Sequence, residues 1–147
     1  MCGIIIKKDR QGENRMKKLI PFLLAVLVLA GCSSAAKGEA VNTYRQVTAK
    51  EAALLMETEE NYIILDVRTE TEYAEKHIPN AVCIPNETIG TSEIPQLPDK
   101  QQLILVYCRS GNRSKQAASK LAALGYTNVV EFGGINDWTG ETVSGKG

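Results

Sequence analysis

The sequence predicts an α/β domain built on a parallel β-sheet. Short apolar runs of strand length alternate along the chain with helical segments, which is the pattern of repeated strand–helix–strand units. Two of these runs, Tyr62–Leu65 and Leu103–Tyr107, are continuously apolar, as expected for strands covered on both faces. Two capping boxes, Thr48–Glu51 and Thr69–Glu72, have the residue pattern that begins a helix.

The first half of the domain begins with a short β-prone run at Tyr44–Val47. The first capping box opens a helix that continues through Ala52–Met56, and the second opens a helix that ends near Lys76. Ala81–Ile84 is a third strand candidate, which a proline ends. Residues 86–100 contain two prolines and one glycine, so we predict a loop with at most one short helix.

The second half begins with the strongest strand, Leu103–Tyr107, which runs directly into the polar segment Cys108–Ser114. A helix with apolar residues at helical spacing follows and ends at Gly125. Val129–Phe132 is the last strand, and we predict that the glycine pair after it opens a short helix through Trp138. In parallel sheets, ligands bind outside the carboxyl ends of the strands. The site is therefore expected at the ends of these strands.

The composition is that of a globular domain of common size. The chain has 147 residues, of which 44% are hydrophobic and 23% charged. A formal net charge of zero and a single Trp provide neither a basic surface nor a stacking platform for nucleic acid. Four cysteines without paired spacing and one histidine predict neither a disulfide scaffold nor a zinc site. We expect a monomer without metal or other cofactor.

The first third of the chain has the pattern of an export signal. In Met16–Ala30, two lysines precede about a dozen apolar residues, a run shorter than the ~20 residues of a spanning helix. The next residues complete the motif Leu-Ala-Gly-Cys at Cys32, which resembles the bacterial lipoprotein lipobox. The resemblance implies that Cys32 is acylated with fatty acids such as palmitate, becomes the new N-terminus and anchors the protein to a membrane. A buried apolar helix followed by a chance cysteine is the alternative.

These observations divide the chain into three parts. We expect a signal segment at residues 1–31, a lipidated cysteine with a small, polar tether at 32–41, and one folded domain at 42–147. The lipoprotein signal itself occupies residues 16–31, so translation is expected to start at Met16. Residues 1–15 are then a gene-model extension, the alternative being a long basic region. The expected location is the cell envelope, outside the cytoplasm. The zero net charge combines +4 in residues 1–31 with −4 in the remainder.

Cys108 lies between a strand and a helix, in the segment Cys-Arg-Ser-Gly-Asn-Arg-Ser. Successive amides of such a loop form an anion-binding nest, and the following helix adds the positive end of its dipole. Arg109 and Arg113 add full positive charges. All three influences stabilise a thiolate, which suits nucleophilic catalysis, and the same cradle would hold a persulfide. The alternative is a small buried cysteine at a strand end.

Four blocks of sequence carry further motifs in a fixed order. They are Leu65–Arg68 with Glu72-Tyr73, His77–Ala81 with Ile84-Pro85, Cys108–Ser114, and Leu124–Tyr126 with Asn128-Val129, Gly133-Gly134 and Trp138. Together these blocks resemble the rhodanese-like domain family. The resemblance implies a five-stranded parallel sheet flanked by helices on both faces. It also implies transfer of a sulfane sulfur, from a small donor such as thiosulfate or a persulfide, to a thiol or other thiophilic acceptor. Two positions depart from the family, since Lys76 and Asn80 stand where glycine is common.

The sulfur would be carried as a persulfide on Cys108, the nucleophile that the resemblance implies. Asp66 and Arg68 are expected to form a hydrogen-bonded brace, with each other or with Glu72, whereas His77 is expected to be structural. The substrate-binding loop would comprise Arg109, Ser110, Gly111, Asn112, Arg113 and Ser114, through its amides and through the charges of its two arginines.

Three alternatives remain open at the level of sequence. A phosphatase or arsenate reductase of related fold also uses a cysteine in a loop of amides, but with five residues before its arginine, whereas four separate Cys108 from Arg113. The shorter loop favours a sulfur atom over a tetrahedral oxyanion. A non-catalytic rhodanese-like binding module is the second alternative, which the intact loop disfavours. Cys83 is either a small buried residue or a resolving cysteine for Cys108.

Overall fold

The computed structural model describes residues 43–90 and 92–146. Nine elements occur in this part of the chain, eight of which are labelled here. They are β1 (Arg45–Gln46), α1 (Ala49–Thr58), β2 (Tyr62–Asp66), α2 (Glu70–Glu75), β3 (Val82–Cys83), a 3₁₀ turn (Asn86–Thr88), β4 (Leu103–Cys108), α3 (Asn112–Ala123) and β5 (Val129–Gly134). The signal segment, Cys32 and the tether up to residue 41 lie outside the described residues.

The five strands form one sheet in the order β1-β5-β4-β2-β3, and every pairing is parallel. This confirms the predicted α/β fold with a five-stranded parallel sheet. The crossover connections place helices on both faces, also as predicted. On one face α3 packs through Ala117, Ala118 and Leu121 against alternate residues of β4, and on the other α1 and α2 pack through Ala52 and Tyr73.

Both predicted capping boxes are present, because each depends only on residues three positions apart. The Thr48 side chain accepts the Glu51 amide, and the Glu51 carboxylate accepts the Thr48 amide at 2.7 Å. Thr69 and Glu72 repeat the arrangement at the start of α2. These bonds satisfy backbone groups that have no partner within the first helical turn.

The two departures from the family pattern are accommodated by backbone geometry. Asn80 adopts a left-handed conformation with φ of 63°, which asparagine tolerates better than most residues. Lys76 follows α2 in extended conformation with φ of −164° and therefore needs no glycine.

The predicted helix from the glycine pair through Trp138 is wrong. Gly133 and Gly134 are the last residues of β5, and the chain then makes a turn. The reason is tertiary: the amides of Ile135 and Asn136 donate to the carbonyls of Cys108 and Arg109, at 2.9 and 3.3 Å. These amides stabilise the neighbouring loop, and the local preference of the residues is overridden.

Candidate active site

Cys108 is the last residue of β4, and its side chain is buried on the α3 face of the sheet. The chain leaves the strand through Arg109 and Ser110, which are exposed. Gly111 then adopts φ of 97° and caps α3, a left-handed conformation that glycine reaches without strain. This turn brings the Gly111 amide back over the sulfur, to which it donates at 3.1 Å. The segment predicted as a loop therefore passes into helix at Asn112.

The surroundings of Cys108 favour its thiolate. Burial raises the pKa of the Cys108 thiol, but hydrogen bonds from the Ser114 hydroxyl and amide, and from the amides of Ser110 and Gly111, outweigh burial. The resulting pKa lies below its ordinary value. The Gly111 amide is thus hydrogen-bonded to the sulfur at 3.1 Å, and Ser110 and Ser114 on either side of it contribute the other hydrogen bonds that favour the thiolate.

Arg113 is held by a carboxylate across the site. Its guanidinium donates two hydrogen bonds to Glu72, at 2.7 and 2.8 Å, and both side chains are one-quarter exposed. These bonds lower the pKa of Glu72 to about 2, against the opposing effect of partial burial, and Thr69 contributes further hydrogen bonds. The ion pair ties α3 to α2. Because Glu72 balances the charge of Arg113, this arginine is less available to attract an anion than its sequence position implies.

Arg109 projects into a charged cleft beside the loop. The cleft has a volume of about 210 Å³, and it is lined by Arg68, Glu72, Glu75, Lys76, Arg109, Ile135 and Asn136. Arg109 is exposed, as is Asn112 at the first position of α3. Of the two predicted loop arginines, Arg109 is thus the one whose charge faces solvent at this edge.

Asp66 and Arg68 form a buried pair on the opposite face of the sheet from the Cys108 side chain. The Arg68 amide and Nε donate to Asp66 at 3.0 and 2.9 Å. Arg68 also donates to the carbonyl of Lys76 at 2.6 Å, and its guanidinium carbon lies 5.7 Å from the centre of the Tyr107 ring. The pair joins the end of β2 to the end of α2, and Glu72 is bound by Arg113 instead.

His77 and Trp138 lie away from the sulfur. The His77 ring stacks on Tyr73, with centroids 3.7 Å apart, and its Nδ1 lies 2.8 Å from the Tyr73 carbonyl oxygen. Trp138 packs beside Phe132 on the α1–α2 face. Both contacts are structural in kind.

Cys83 is half-buried on that same face and lies two strands from Cys108. Cys83 pairs in register with Asp66, and Asp66 pairs with Tyr107, the residue before Cys108. Two strand spacings therefore separate the α-carbons of Cys83 and Tyr107 by about 10 Å. That exceeds the ~7 Å limit between α-carbons joined by a disulfide. Burial, followed by the charge of Asp66, raises the pKa of the Cys83 thiol to about 11. The two thiols thus differ in face and in acidity.

Two residues of β5 that shape the loop carry no assigned role at the level of sequence. Gly134 lies so close to the loop that an added Cβ would be 2.2 Å from the Arg109 carbonyl oxygen. Glu131 is 2% exposed, and its carboxylate accepts from Ser114 and from the Gly133 amide, at 2.6 and 2.8 Å. A charged residue inside an otherwise apolar strand is the signal that could have singled out Glu131.

Two kinds of feature are absent from the described ranges 43–90 and 92–146. These residues contain no cluster of three or more His, Cys, Asp or Glu side chains suited to a metal ion. None of the helices there has both the length and the apolar character needed to cross a membrane.

Comparison with known families gives two matches. The model of the rhodanese-like domain matches residues 48–141, a range that includes the whole loop and four of the five strands. The model of the prokaryotic membrane lipoprotein lipid attachment site matches residues 16–33.

Comparison with individual proteins gives the same picture. The chain is 36% identical to the thiosulfate sulfurtransferase PspE of Escherichia coli over 73 residues, which are 50% of this chain and 70% of that protein. It is 40% identical to a sulfurtransferase of Allochromatium vinosum over 82 residues, or 54% of this chain and 73% of that protein. A solved rhodanese with anions from E. coli aligns with a TM-score of 0.53 at 34% identity, over 57% of this chain and 99% of that structure.

Proposed function

The chain belongs to the rhodanese-like domain family, and from that premise we propose that it is a sulfurtransferase whose nucleophile is Cys108. The observation that carries the proposal is the set of donors around the sulfur. The Ser110, Gly111 and Ser114 amides and the Ser114 hydroxyl lower the pKa of Cys108 in spite of its burial. A thiolate is the form that attacks sulfur, and the same donors would hold the negative charge of a persulfide.

The proposed reaction has two displacement steps. The Cys108 thiolate attacks the outer, sulfane sulfur of thiosulfate, forming a sulfur–sulfur bond. The bond inside thiosulfate breaks, and sulfite leaves with its electron pair. Cys108 then carries an anionic persulfide. An acceptor thiolate attacks the outer sulfur of this persulfide, which regenerates the Cys108 thiolate and releases the acceptor persulfide. Electrons and charge balance in both steps, and neither step requires a metal or an external oxidant.

Each loop residue has a distinct proposed role. Ser110, Gly111 and Ser114 supply donors to the sulfur. Asn112 and Arg113 form the first turn of α3, and the dipole of this helix favours negative charge at its N-terminal end. Arg109 is exposed and attracts the anionic donor. Arg113 positions the loop through Glu72. Asp66 and Arg68 support the neighbouring strand end.

Intact-mass analysis of the purified full-length chain after thiosulfate treatment tests the proposal. We expect an increase of about 32 Da, one sulfur atom, which peptide mapping assigns to Cys108. A sulfinic acid adds nearly the same mass but resists dithiothreitol, whereas a persulfide is reversed by it. The increase should be lost in Cys108→Ser and retained in Cys83→Ser, the matched control.

Two outcomes would contradict the proposal. A folded chain that gains no reversible adduct with thiosulfate or polysulfide would indicate a non-catalytic binding module. Phosphate release from a model phosphoester, lost in Cys108→Ser, would indicate the phosphatase alternative.

We further propose that the protein is a lipoprotein of the cell envelope. The match to the lipid attachment site ends just after Cys32, and the two or three acyl chains of a lipoprotein anchor a domain stably. In this proposal the signal up to residue 31 is removed, residues 32–41 form the tether, and the domain from residue 42 faces away from the cytoplasm. Labelling with an alkyne fatty acid should mark the membrane fraction, and Cys32→Ser should abolish the label. A labelled Cys32→Ser chain, or an unlabelled cytosolic native chain, would contradict the assignment.

A further inference from the structure

Glu131 is a buried carboxylate beneath the loop that carries Cys108. Its side chain is on the same face as Cys108 because it alternates with Val130 and Phe132, which pack on the opposite face. It is 2% exposed, a rare environment for a glutamate unless its oxygens are bound. The role of Glu131 therefore depends on the groups that donate hydrogen bonds to its carboxylate.

The carboxylate stabilises an irregularity in β5. Val106 pairs with Glu131 and Cys108 pairs with Gly134, so β5 has one residue more than β4 over this interval, which is a β-bulge. The bulge takes the Gly133 amide out of the ladder, and Glu131 accepts that amide at 2.8 Å. Gly133 has φ of 86°, so the bulge is the point where the backbone turns beneath the loop.

The same carboxylate oxygen also binds Ser114. The Ser114 hydroxyl lies 2.6 Å from Glu131 Oε1, and 3.0 and 3.2 Å from the carbonyl oxygens of Gly111 and Gly133. A hydroxyl has one proton to donate, and the shortest, charge-assisted bond is the strongest. In the geometry observed, the Ser114 hydroxyl therefore donates its hydrogen bond to Glu131. Yet Ser114 also borders the sulfur, because its hydroxyl lies beside the carbonyl of Gly111, whose amide donates to Cys108 at 3.1 Å, and a hydrogen bond from Ser114 favours the Cys108 thiolate.

We propose that Glu131 is a positioning residue whose carboxylate competes with the Cys108 sulfur for the single hydroxyl proton of Ser114. When Cys108 is a neutral thiol, the Ser114 hydroxyl donates its hydrogen bond to Glu131. When the sulfur becomes anionic, the hydroxyl turns towards it, and Glu131 retains only the Gly133 amide. Glu131 thus restrains the acidity of Cys108 while fixing the bulge beneath the loop. This inference deepens the proposed function, because it concerns the same thiol.

Other charges near Cys108 come from each packed element. Arg113 on α3 interacts with the charge of the sulfur and with that of Glu87 in the 3₁₀ turn, and Glu72 on α2 balances Arg113. The Asp66 and Arg68 pair lies on the opposite face. Glu131 is therefore the negative group on the β5 side of the loop.

The test is the pH dependence of Cys108 alkylation by iodoacetamide in the full-length chain, read by peptide mapping. Glu131→Gln removes the charge and keeps an oxygen acceptor, so the midpoint should fall by roughly 0.5–1 pH unit. Glu57→Gln, an exposed change of the same kind on α1, should leave the midpoint unchanged. In a Ser114→Ala background the shift caused by Glu131→Gln should be at least halved. An unchanged midpoint in folded Glu131→Gln, or an equal shift in both backgrounds, would overturn the proposal.

A second measurement needs no substitution of Glu131. In the native chain, the Gly133 amide should strengthen its bond to Glu131 when the Ser114 proton leaves. Its NMR resonance should therefore move downfield with the same pH midpoint as Cys108, and should not do so in Cys108→Ser. A Gly133 amide resonance whose pH dependence is the same in the native chain and in Cys108→Ser would refute the competition. Alkylation and NMR require no sulfur transfer, so this inference and the proposed function can fail separately.

Discussion

The ion pair between Glu72 and Arg113 should make the protein less stable as the pH falls. The two side chains lie on α2 and α3, 41 positions apart, and form a two-point contact. We predict that Glu72→Gln destabilises the domain at neutral pH. The glutamine keeps an oxygen that can accept from Thr69 in the capping box, so the substitution removes chiefly the charge.

The magnitude follows from the pKa of Glu72, which falls from 4.5 to about 2 in the folded protein. At about 1.4 kcal/mol per pH unit, that lowering corresponds to roughly 3 kcal/mol. Both side chains are 25% exposed, so solvent screening reduces the expected loss to about 1–2 kcal/mol. A folded-state pKa below the unfolded one means that this stability is fully present well above pH 4.5. It is lost as the pH falls through the range down to about 2.

Urea denaturation at about pH 7 and about pH 3 measures the effect. The difference in unfolding free energy between the native chain and Glu72→Gln should be about 1–2 kcal/mol at the higher pH and about half of that, or less, at the lower pH. Glu60→Gln, an exposed change, is the control and should show no difference at either pH. An equal loss at both pH values, or none at neutral pH, would refute the role assigned to the ion pair.

Three further substitutions test contacts at the same sheet edge. Gly134→Ala should lower thermal stability and slow sulfur loading at least tenfold, because its Cβ would lie 2.2 Å from a loop carbonyl; Gly90→Ala, with no atom within 4 Å of its Cβ, should do neither. Arg68→Ala should reduce the unfolding free energy by about 3–5 kcal/mol in urea, since it leaves the charge of Asp66 buried and unpaired; a loss below 1 kcal/mol would contradict the brace. Cys83→Ser should transfer sulfur from thiosulfate to an acceptor thiol within twofold of the native turnover rate, and a larger loss would revive the resolving-cysteine hypothesis.

The features that can be predicted from the amino-acid sequence rest on local interactions. The capping boxes of Thr48 and Thr69 join atoms three residues apart, and the apolar runs of β2 and β4 indicate burial on both faces. Cys108 stands out because a strand, a turn glycine and a helix follow one another within a few residues. The parallel sheet and the edge that carries the loop follow from this order alone, since crossover connections bring the strand ends together.

Tertiary packing determines which groups meet across the fold. The partner of Arg113 is 41 positions away, and nothing local chooses Glu72 over another carboxylate. The residues after β5 form a turn because their amides bind the carbonyls of Cys108 and Arg109. Glu131 accepts a hydrogen bond from Ser114 because the pairing of β5 with β4 places it opposite Val106, on the face that α3 covers. Such contacts depend on register and on the space between packed elements, which emerge only when the sheet is assembled.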